Sequence, residues 1–205
     1  MKFLFPISRL AAPAVISCML LLFLAGCHPQ SPQGNPRISI ETPDGKIIIE
    51  LFADKAPKTV AAFLALVDAG RYENTSFYRA LTVTNQPSNA PKAELLQGGL
   101  WNRRKKRPTL PAIPHESTAT TGIHHETGTI SLARNEPGTG TSEFFICLTT
   151  QPGLDFGGVN NSDGQGYAAF GKVVEGMEVV YKIYQKPEED QYLDPPVPIF
   201  NISRN

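Results

Sequence analysis

Cysteine is scarce in this chain, with three among 205 residues. Cys18 and Cys27 lie near the start, which leaves Cys147 alone in the remainder with no partner for an internal disulfide. Inside the apolar run FFICL it reads as a small buried core residue. An excess of charge is also lacking: 19 basic and 19 acidic side chains cancel, so nothing long-range favours nucleic acid as a partner. Metal-ligand spacing is missing too. His115, His124 and His125 have Glu116 and Glu126 nearby, but adjacent histidines on an extended chain point to opposite sides, and no Cys pair or HExxH helps. No metal site is expected. Internal repeats are absent, and no composition shift divides residues 37–205, so that stretch reads as one domain.

The first segment, MKFLFPISRLAAPAVISCMLLLFLAGC, combines Lys2 and Arg9 with an apolar run from Ala14 to Ala25 broken by Ser17 and Cys18. That run is shorter than the ~20 residues a membrane span needs. Basic start, apolar centre and small residues before a cut site make it a secretory signal over residues 1–26. Leu24-Ala25-Gly26-Cys27 resembles a bacterial lipobox, which implies lipidation of Cys27 as the first mature residue. Residues 27–36 follow as a proline-bearing tether, HPQSPQGNPR behind the cysteine, with no apolar periodicity. The expected address is a lipid anchor facing the periplasm, on the outer rather than the inner membrane because His28 follows the cysteine.

What the remainder has in abundance is turn chemistry. Gly 17 and Pro 18 favour a β-rich fold over a helical bundle. RISIETPDGKIIIEL (37–51) alternates apolar residues around Pro43-Asp44-Gly45 and predicts a β-hairpin. Pro57 near the start and Gly70 past the end bracket a helix whose apolar stripe is Val60, Phe63, Leu64 and Val67. GTISLAR (128–134), SEFFICLTT (142–150) and YAAFGKVV (167–174) read as strands. EGMEVVYKIYQ reads as a second helix with Met177, Val180, Tyr181 and Tyr184 on one stripe, and PPVPIFNIS as a closing strand. Many short strands with two helices predict a mainly β fold: a closed antiparallel barrel capped by helices.

The ordered strings IELFADKAPKTVAAFLALV, FYR, LLQGG, GTISLARNEPGTGTSEFFIC and YAAFGKVVEGMEVV resemble the cyclophilin-type peptidyl-prolyl isomerases, especially their bacterial branch. The likeness spans nearly all of residues 37–205. It implies an eight-stranded antiparallel barrel with a helix at each end, acting as a monomer on proline-containing polypeptides without cofactor or metal. It also implies site residues. Arg79 and Gln97 match the catalytic pair that faces across a shallow groove. Phe145 matches the floor of the proline pocket, Leu95 and Leu154 its apolar edges. Ala133, Arg134 and Asn135 match the segment that lies along the substrate backbone, and Glu143 and Tyr167 stand at further pocket positions.

The chemistry explains those residue types. Rotation about an Xaa–Pro bond must break amide resonance, a barrier of about 18–20 kcal/mol. In the twisted transition state the proline nitrogen becomes pyramidal and regains a lone pair. A guanidinium aimed at it stabilises a state absent from either planar isomer. This chain departs from the family at several points. The run between Arg79 and Gln97 is longer and ends in Glu94-Leu95 instead of Phe-Met. Glu143 replaces a frequent Gln and stands to pair with Arg79 or Arg134. Gly153 stands where an aromatic is common, and Tyr167 where some members have His. The alternative is therefore a low-turnover binding module that grips proline-containing segments or a partner protein. The basic run RRKKR (103–107) and the acidic PEEDQYLD read as solvated surface.

Overall fold

Ile38 and Ile40 on the first strand of the domain pair with Ile49 and Ile47 on the next, and all four are fully buried. These strands are β1 (Arg37–Thr42) and β2 (Gly45–Leu51), joined by the expected turn, where Thr42 Oγ1 donates to the Gly45 carbonyl at 2.8 Å. The computed structural model describes Met1 and residues 34–87, 89, 91–101 and 109–205. The signal segment, Cys27 and the basic run 103–107 lie outside the described residues. Among the described residues no helix is long and apolar enough to cross a membrane.

Helix α1 (Pro57–Asp68) buries the predicted stripe. Phe63 sits at its centre, with ring centroids 5.2 Å from Tyr72, 5.8 Å from Phe144 and 5.1 Å from Phe170. The helix begins at Ala56, which offers no side-chain cap. The cap comes instead from Glu116, whose carboxylate accepts from Thr59 N at 2.8 Å, Thr59 Oγ1 at 2.7 Å and Lys58 N at 3.3 Å. A negative charge on the exposed N–H groups at a helix start is favourable on both counts. Glu116 therefore serves the fold.

The remaining elements are β3 (Thr75–Leu81), β4 (Leu95–Gly99), a short α2 (Thr118–Thr121), β5 (Thr129–Leu132), β6 (Phe144–Cys147), β7 (Ala168–Glu175), α3 (Met177–Tyr184), β8 (Glu188–Glu189), β9 (Tyr192–Ile199) and β10 (Asn201–Arg204). The expected closed eight-stranded barrel with two helices is corrected here. The described residues form a ten-stranded antiparallel sheet in the order β10-β1-β2-β7-β5-β6-β4-β3-β9-β8, with three α-helices, and no ladder joins its two ends. The reason lies in the tail. It splits at Phe200 into β9, which pairs with β3, and β10, which pairs with β1, so the covalent chain makes the connection a ladder would have made. A second correction concerns α3. Its buried residues are Val179, Val180 and Ile183, while Tyr181 is 38% exposed. Tyr181 and Tyr184 lie at the boundary, where their hydroxyls donate to the Leu148 and Leu81 carbonyls at 2.8 and 3.0 Å. A ring that is apolar along its body and polar at its tip settles there.

Candidate active site

Three strands bring the candidate residues into one row. Arg79 on β3 is the cross-strand partner of Gln97 on β4, and Gln97 is the partner of Phe145 on β6. Directly opposed residues share a sheet face, so these three side chains stand side by side. Register slips between Phe77 and Arg79, which makes Tyr78 the extra residue of a bulge. Strict alternation would send Tyr78 to the face opposite Arg79. The bulge allows Phe77 to fill the core while Tyr78 and Arg79 both line a groove of about 280 Å³.

Polar bonds across the groove fix its donors. Arg79 Nη1 donates to Gln97 Oε1 at 3.3 Å, Gln97 Nε2 donates to Tyr78 Oη at 2.8 Å, and Tyr78 Oη donates to Glu143 Oε2 at 2.8 Å. The tyrosine spends its one proton on the carboxylate, so its oxygen accepts from the Gln97 amide. That forces the Gln97 carbonyl towards the guanidinium. Glu143 is itself pinned, accepting from Leu100 N and Ser142 Oγ, each at 3.1 Å. Its carboxylate lies over Gly99, where φ is +146° and a Cβ would collide with Glu143 Oε2. The second glycine of LQGG thus makes room for the acid that sets the relay. Glu143 accepts from Tyr78, Leu100 and Ser142, and the chain Glu143–Tyr78–Gln97 connects it to Arg79.

The apolar half of the groove is a small cluster apart from the main core. Leu95, Phe145, Leu154, Cys147 and Ala93 are buried together, with Leu81, Ala133 and Tyr167 packed on them. Phe145 meets Tyr167 edge-on at 5.2 Å. Leu95, Phe145, Ala133 and Tyr167 line the groove, whereas Leu154 backs the cluster from behind the wall. Burial pushes the Cys147 thiol far above its ordinary range, which leaves it an inert packing residue.

Arg134 and Asn135 also border the groove, just past β5. The Arg134 fork is engaged elsewhere, donating to both oxygens of Asp163 at 2.7 and 2.9 Å and to the Gly166 carbonyl, with its guanidinium 5.2 Å from the Tyr167 ring. That bidentate hydrogen bonding lowers the Asp163 carboxyl to about 2. Arg134 therefore shapes the loop that carries Tyr167. At Gly153, a Cβ would strike Asn160 Oδ1, so Asn160 takes the space an aromatic would need. Glu94 turns away to accept from Thr149 Oγ1 at 3.1 Å.

Two aromatic residues that line the groove, and a glutamine that reaches Arg79 from outside its lining, had no clear signal in the sequence. Trp101 and Tyr192 join Tyr78 in a row of tilted rings, with centroids 4.7 Å apart for Tyr78–Trp101 and 5.3 Å for Trp101–Tyr192. The single tryptophan, four residues after Gln97, was the available hint. Gln191 accepts from Arg79 Nε at 3.1 Å and Nη2 at 2.5 Å, from a segment that reads as solvated acidic surface.

Comparison with known proteins agrees with this architecture. The family model described as cyclophilin type peptidyl-prolyl cis-trans isomerase/CLD matches residues 37–204. The chain is 35% identical over 148 residues to peptidyl-prolyl cis-trans isomerase B of Escherichia coli (strain K12), covering 71% of this chain and 82% of that protein. It is 36% identical over 154 residues to peptidyl-prolyl cis-trans isomerase A of Dickeya dadantii (strain 3937), covering 75% and 73% respectively. A crystal structure of a Cryptosporidium parvum cyclophilin type peptidyl-prolyl cis-trans isomerase superposes with a TM-score of 0.65 at 23% identity, over 83% of this chain and 98% of that one. A second structure of that protein, in the presence of the dipeptide Ala-Pro, gives 0.64 at 24% identity, over 82% and 98%. The chain belongs to the cyclophilin-type peptidyl-prolyl cis-trans isomerases, a family of enzymes.

Beneath Phe145 lies a polar row whose inner two members are buried. Asp155 Oδ1 accepts from His125 Nδ1–H at 2.6 Å, and the Ser131 hydroxyl donates to His125 Nε2 at 3.0 Å. The order is that of a hydrolase triad, but Ser131 is 0% and His125 1% exposed, so no substrate reaches them. Burial pushes His125 below the ordinary histidine value of 6.5, against the pull of Asp155. Burial also raises the Asp155 carboxyl, but hydrogen bonds from His125 and His124 outweigh it and hold the group below its usual 3.8. A histidine whose folded pKa is depressed gives stability that is fully present above its unfolded value and lost as pH falls below it. Asp155 acts in the same direction at lower pH, its contribution lost as pH falls below 3.8. Urea unfolding should therefore show wild-type stability declining from about pH 7 to about pH 5, with a flatter curve for His125→Gln. Equal slopes in the two proteins would contradict a buried neutral His125.

Proposed function

We propose that this chain catalyses cis-trans isomerisation of Xaa–Pro bonds in exported polypeptides, from a lipid anchor at the bacterial cell envelope. The observation that carries the catalytic part is the held guanidinium of Arg79. Gln97 and Gln191 occupy three of its N–H groups, one on each nitrogen, and its face borders a groove floored by Phe145. An arginine has five N–H donors, so among the described residues two remain to meet a substrate. In this reading the proline ring sits against Phe145, Leu95 and Tyr167, and Ala133, Arg134 and Asn135 border the peptide backbone. Gln97 orients the fork, and Arg79 donates to the proline nitrogen as it becomes pyramidal. Such a donor acts most strongly in the twisted state, which lowers the barrier without tightening ground-state binding. The relatives' names and the Ala-Pro dipeptide present with the Cryptosporidium parvum protein support proline as the recognised residue. In this reading the protein acts as a single copy, since the candidate residues described all come from one chain.

The sequence departures that favoured a low-turnover binding module are accommodated in ways that keep the groove open. Glu143 acts through Tyr78, Glu94 turns to Thr149, and Asn160 fills the space at Gly153. Arg79→Ala should lower the isomerisation rate by about 10²–10³, the usual loss for one preorganised donor, while affinity for a proline peptide stays within a few-fold. A protease-coupled assay measures the rate and a peptide titration the affinity. Wild-type turnover in the variant, or none above background in the wild type, would favour the binding module.

The envelope address rests on Leu24-Ala25-Gly26-Cys27 at the end of the signal, and outer-membrane placement rests on His28. Two or more acyl chains hold a protein on a bilayer, each buried methylene contributing about 0.8 kcal/mol. Cys27→Ser should block incorporation of labelled fatty acid and shift any mature product out of the membrane fraction. Absence of label from the wild-type protein would overturn the anchor.

A further inference from the structure

Gln191 occupies a position that a side chain does not favour. β8 and β9 form a hairpin, with Glu189 opposite Tyr192, and Asp190 and Gln191 make its two-residue turn. Both turn residues are left-handed, with φ of 50° and 75°. Such a turn prefers Asn-Gly, because glycine at its second position carries no steric strain. Here that position holds a glutamine whose side-chain and backbone polar groups are all engaged. Its N–H donates to Glu188 Oε2 at 2.6 Å, and its carbonyl accepts from Ala80 N at 2.9 Å. Its Nε2 donates to the Asn85 carbonyl at 3.0 Å, and its Oε1 accepts from Arg79 Nε and Nη2.

The direction of the Gln191 amide follows from Asn85. A backbone carbonyl only accepts, so the amide nitrogen must face it and the amide oxygen must face the guanidinium. Asn85 belongs to the long run between Arg79 and Gln97, and that run is braced from within. Asn85 Oδ1 accepts from Thr82 N at 2.9 Å, Asn85 Nδ2 donates to the Ala80 carbonyl at 2.9 Å, and Gln86 Nε2 donates to the carbonyls of Thr82 and Ala93 at 2.6 and 2.7 Å. The sequence shows this run to be longer than is usual in the family, and the structure connects it to the arginine.

We infer that Gln191 is a positioning residue for Arg79, and that the Thr82–Gln86 segment sets the aim of the guanidinium through the Asn85 carbonyl and the Gln191 amide. This inference rests on the reading of Arg79 as the transition-state donor. Gln97 grips the fork at Nη1 and Gln191 grips its opposite edge at Nε and Nη2. Without the second grip, the fork can pivot about Gln97 and lose its line to the proline nitrogen. Substrate binding depends on the apolar cluster around Phe145 and should be little affected.

Gln191→Gly separates this role from a structural one, because glycine relieves the left-handed strain while removing the grip. In the full chain, the cis-trans exchange rate of a bound Xaa–Pro peptide, read by two-dimensional NMR, should fall about 10–100-fold. Peptide affinity should change less than about twofold, and the unfolding midpoint should hold or rise. Adding Gln191→Gly to Arg79→Ala should cause no further loss, since both act through one donor. Wild-type exchange in Gln191→Gly alongside a depleted Arg79→Ala would overturn the inference and leave Arg79 in its role. Parallel loss of rate, affinity and stability in Gln191→Gly would also overturn it, as the mark of a purely structural residue. Wild-type exchange in Arg79→Ala itself would remove the donor reading and this inference with it.

Discussion

The site depends on the orientation of one guanidinium. A flexible arginine at a groove edge is a point of positive charge; an arginine whose plane and edge are fixed is an aimed donor. Here two amide oxygens fix it from two sides, Gln97 at Nη1 and Gln191 at Nε and Nη2. Each amide has its own direction fixed by a third group that cannot exchange roles. Tyr78, obliged to donate to Glu143, accepts from Gln97, and the Asn85 carbonyl accepts from Gln191. The order in this small network comes from groups with a single hydrogen-bonding option.

The network needs a scaffold that brings distant residues together. The aromatic core of Phe63, Tyr72, Phe77, Phe144 and Phe170 holds α1 against the sheet and fixes the positions of β3 and β6. The bulge at Tyr78 turns two consecutive side chains to the groove while Phe77 remains in the core. Gly99 leaves room for Glu143, and buried His125, held by Asp155, supports the Phe145 floor from below, with the His125 and Phe145 rings stacked at 6.0 Å. Fold and site therefore share parts.

Much of this was legible in the sequence wherever a local rule applied. Proline and glycine bracketed α1, and its stripe was buried as spaced. The Arg79–Gln97–Phe145 row could be recognised as motifs because three neighbouring strands each carry one member. Elsewhere local rules failed for physical reasons. Alternation hides Tyr78, because a bulge leaves no mark in a string of residues. Gln191 is 112 positions from Arg79 and lies in a turn without the usual Asn-Gly signature. The α3 stripe turned because hydrophobicity alone does not distinguish a tyrosine at the boundary from one in the core. Glu143 was expected to pair with Arg79 or Arg134, and its bond from Tyr78 required coordinates. Closure of the sheet could not be read from strand count, since the tail divides at Phe200 between two strand partners.

Charge and aim can be separated by one substitution. Arg79→Lys keeps a permanent positive charge in the groove but replaces the planar fork with a single ammonium that neither glutamine can hold in register. The decisive measurement is the cis-trans exchange rate of a proline peptide bound to that variant, at saturating enzyme. If catalysis depends on an aimed fork, the rate falls by about 10² or more while the peptide still binds. An exchange rate equal to wild type would show that charge alone suffices and that the two-sided grip on Arg79 has no catalytic consequence.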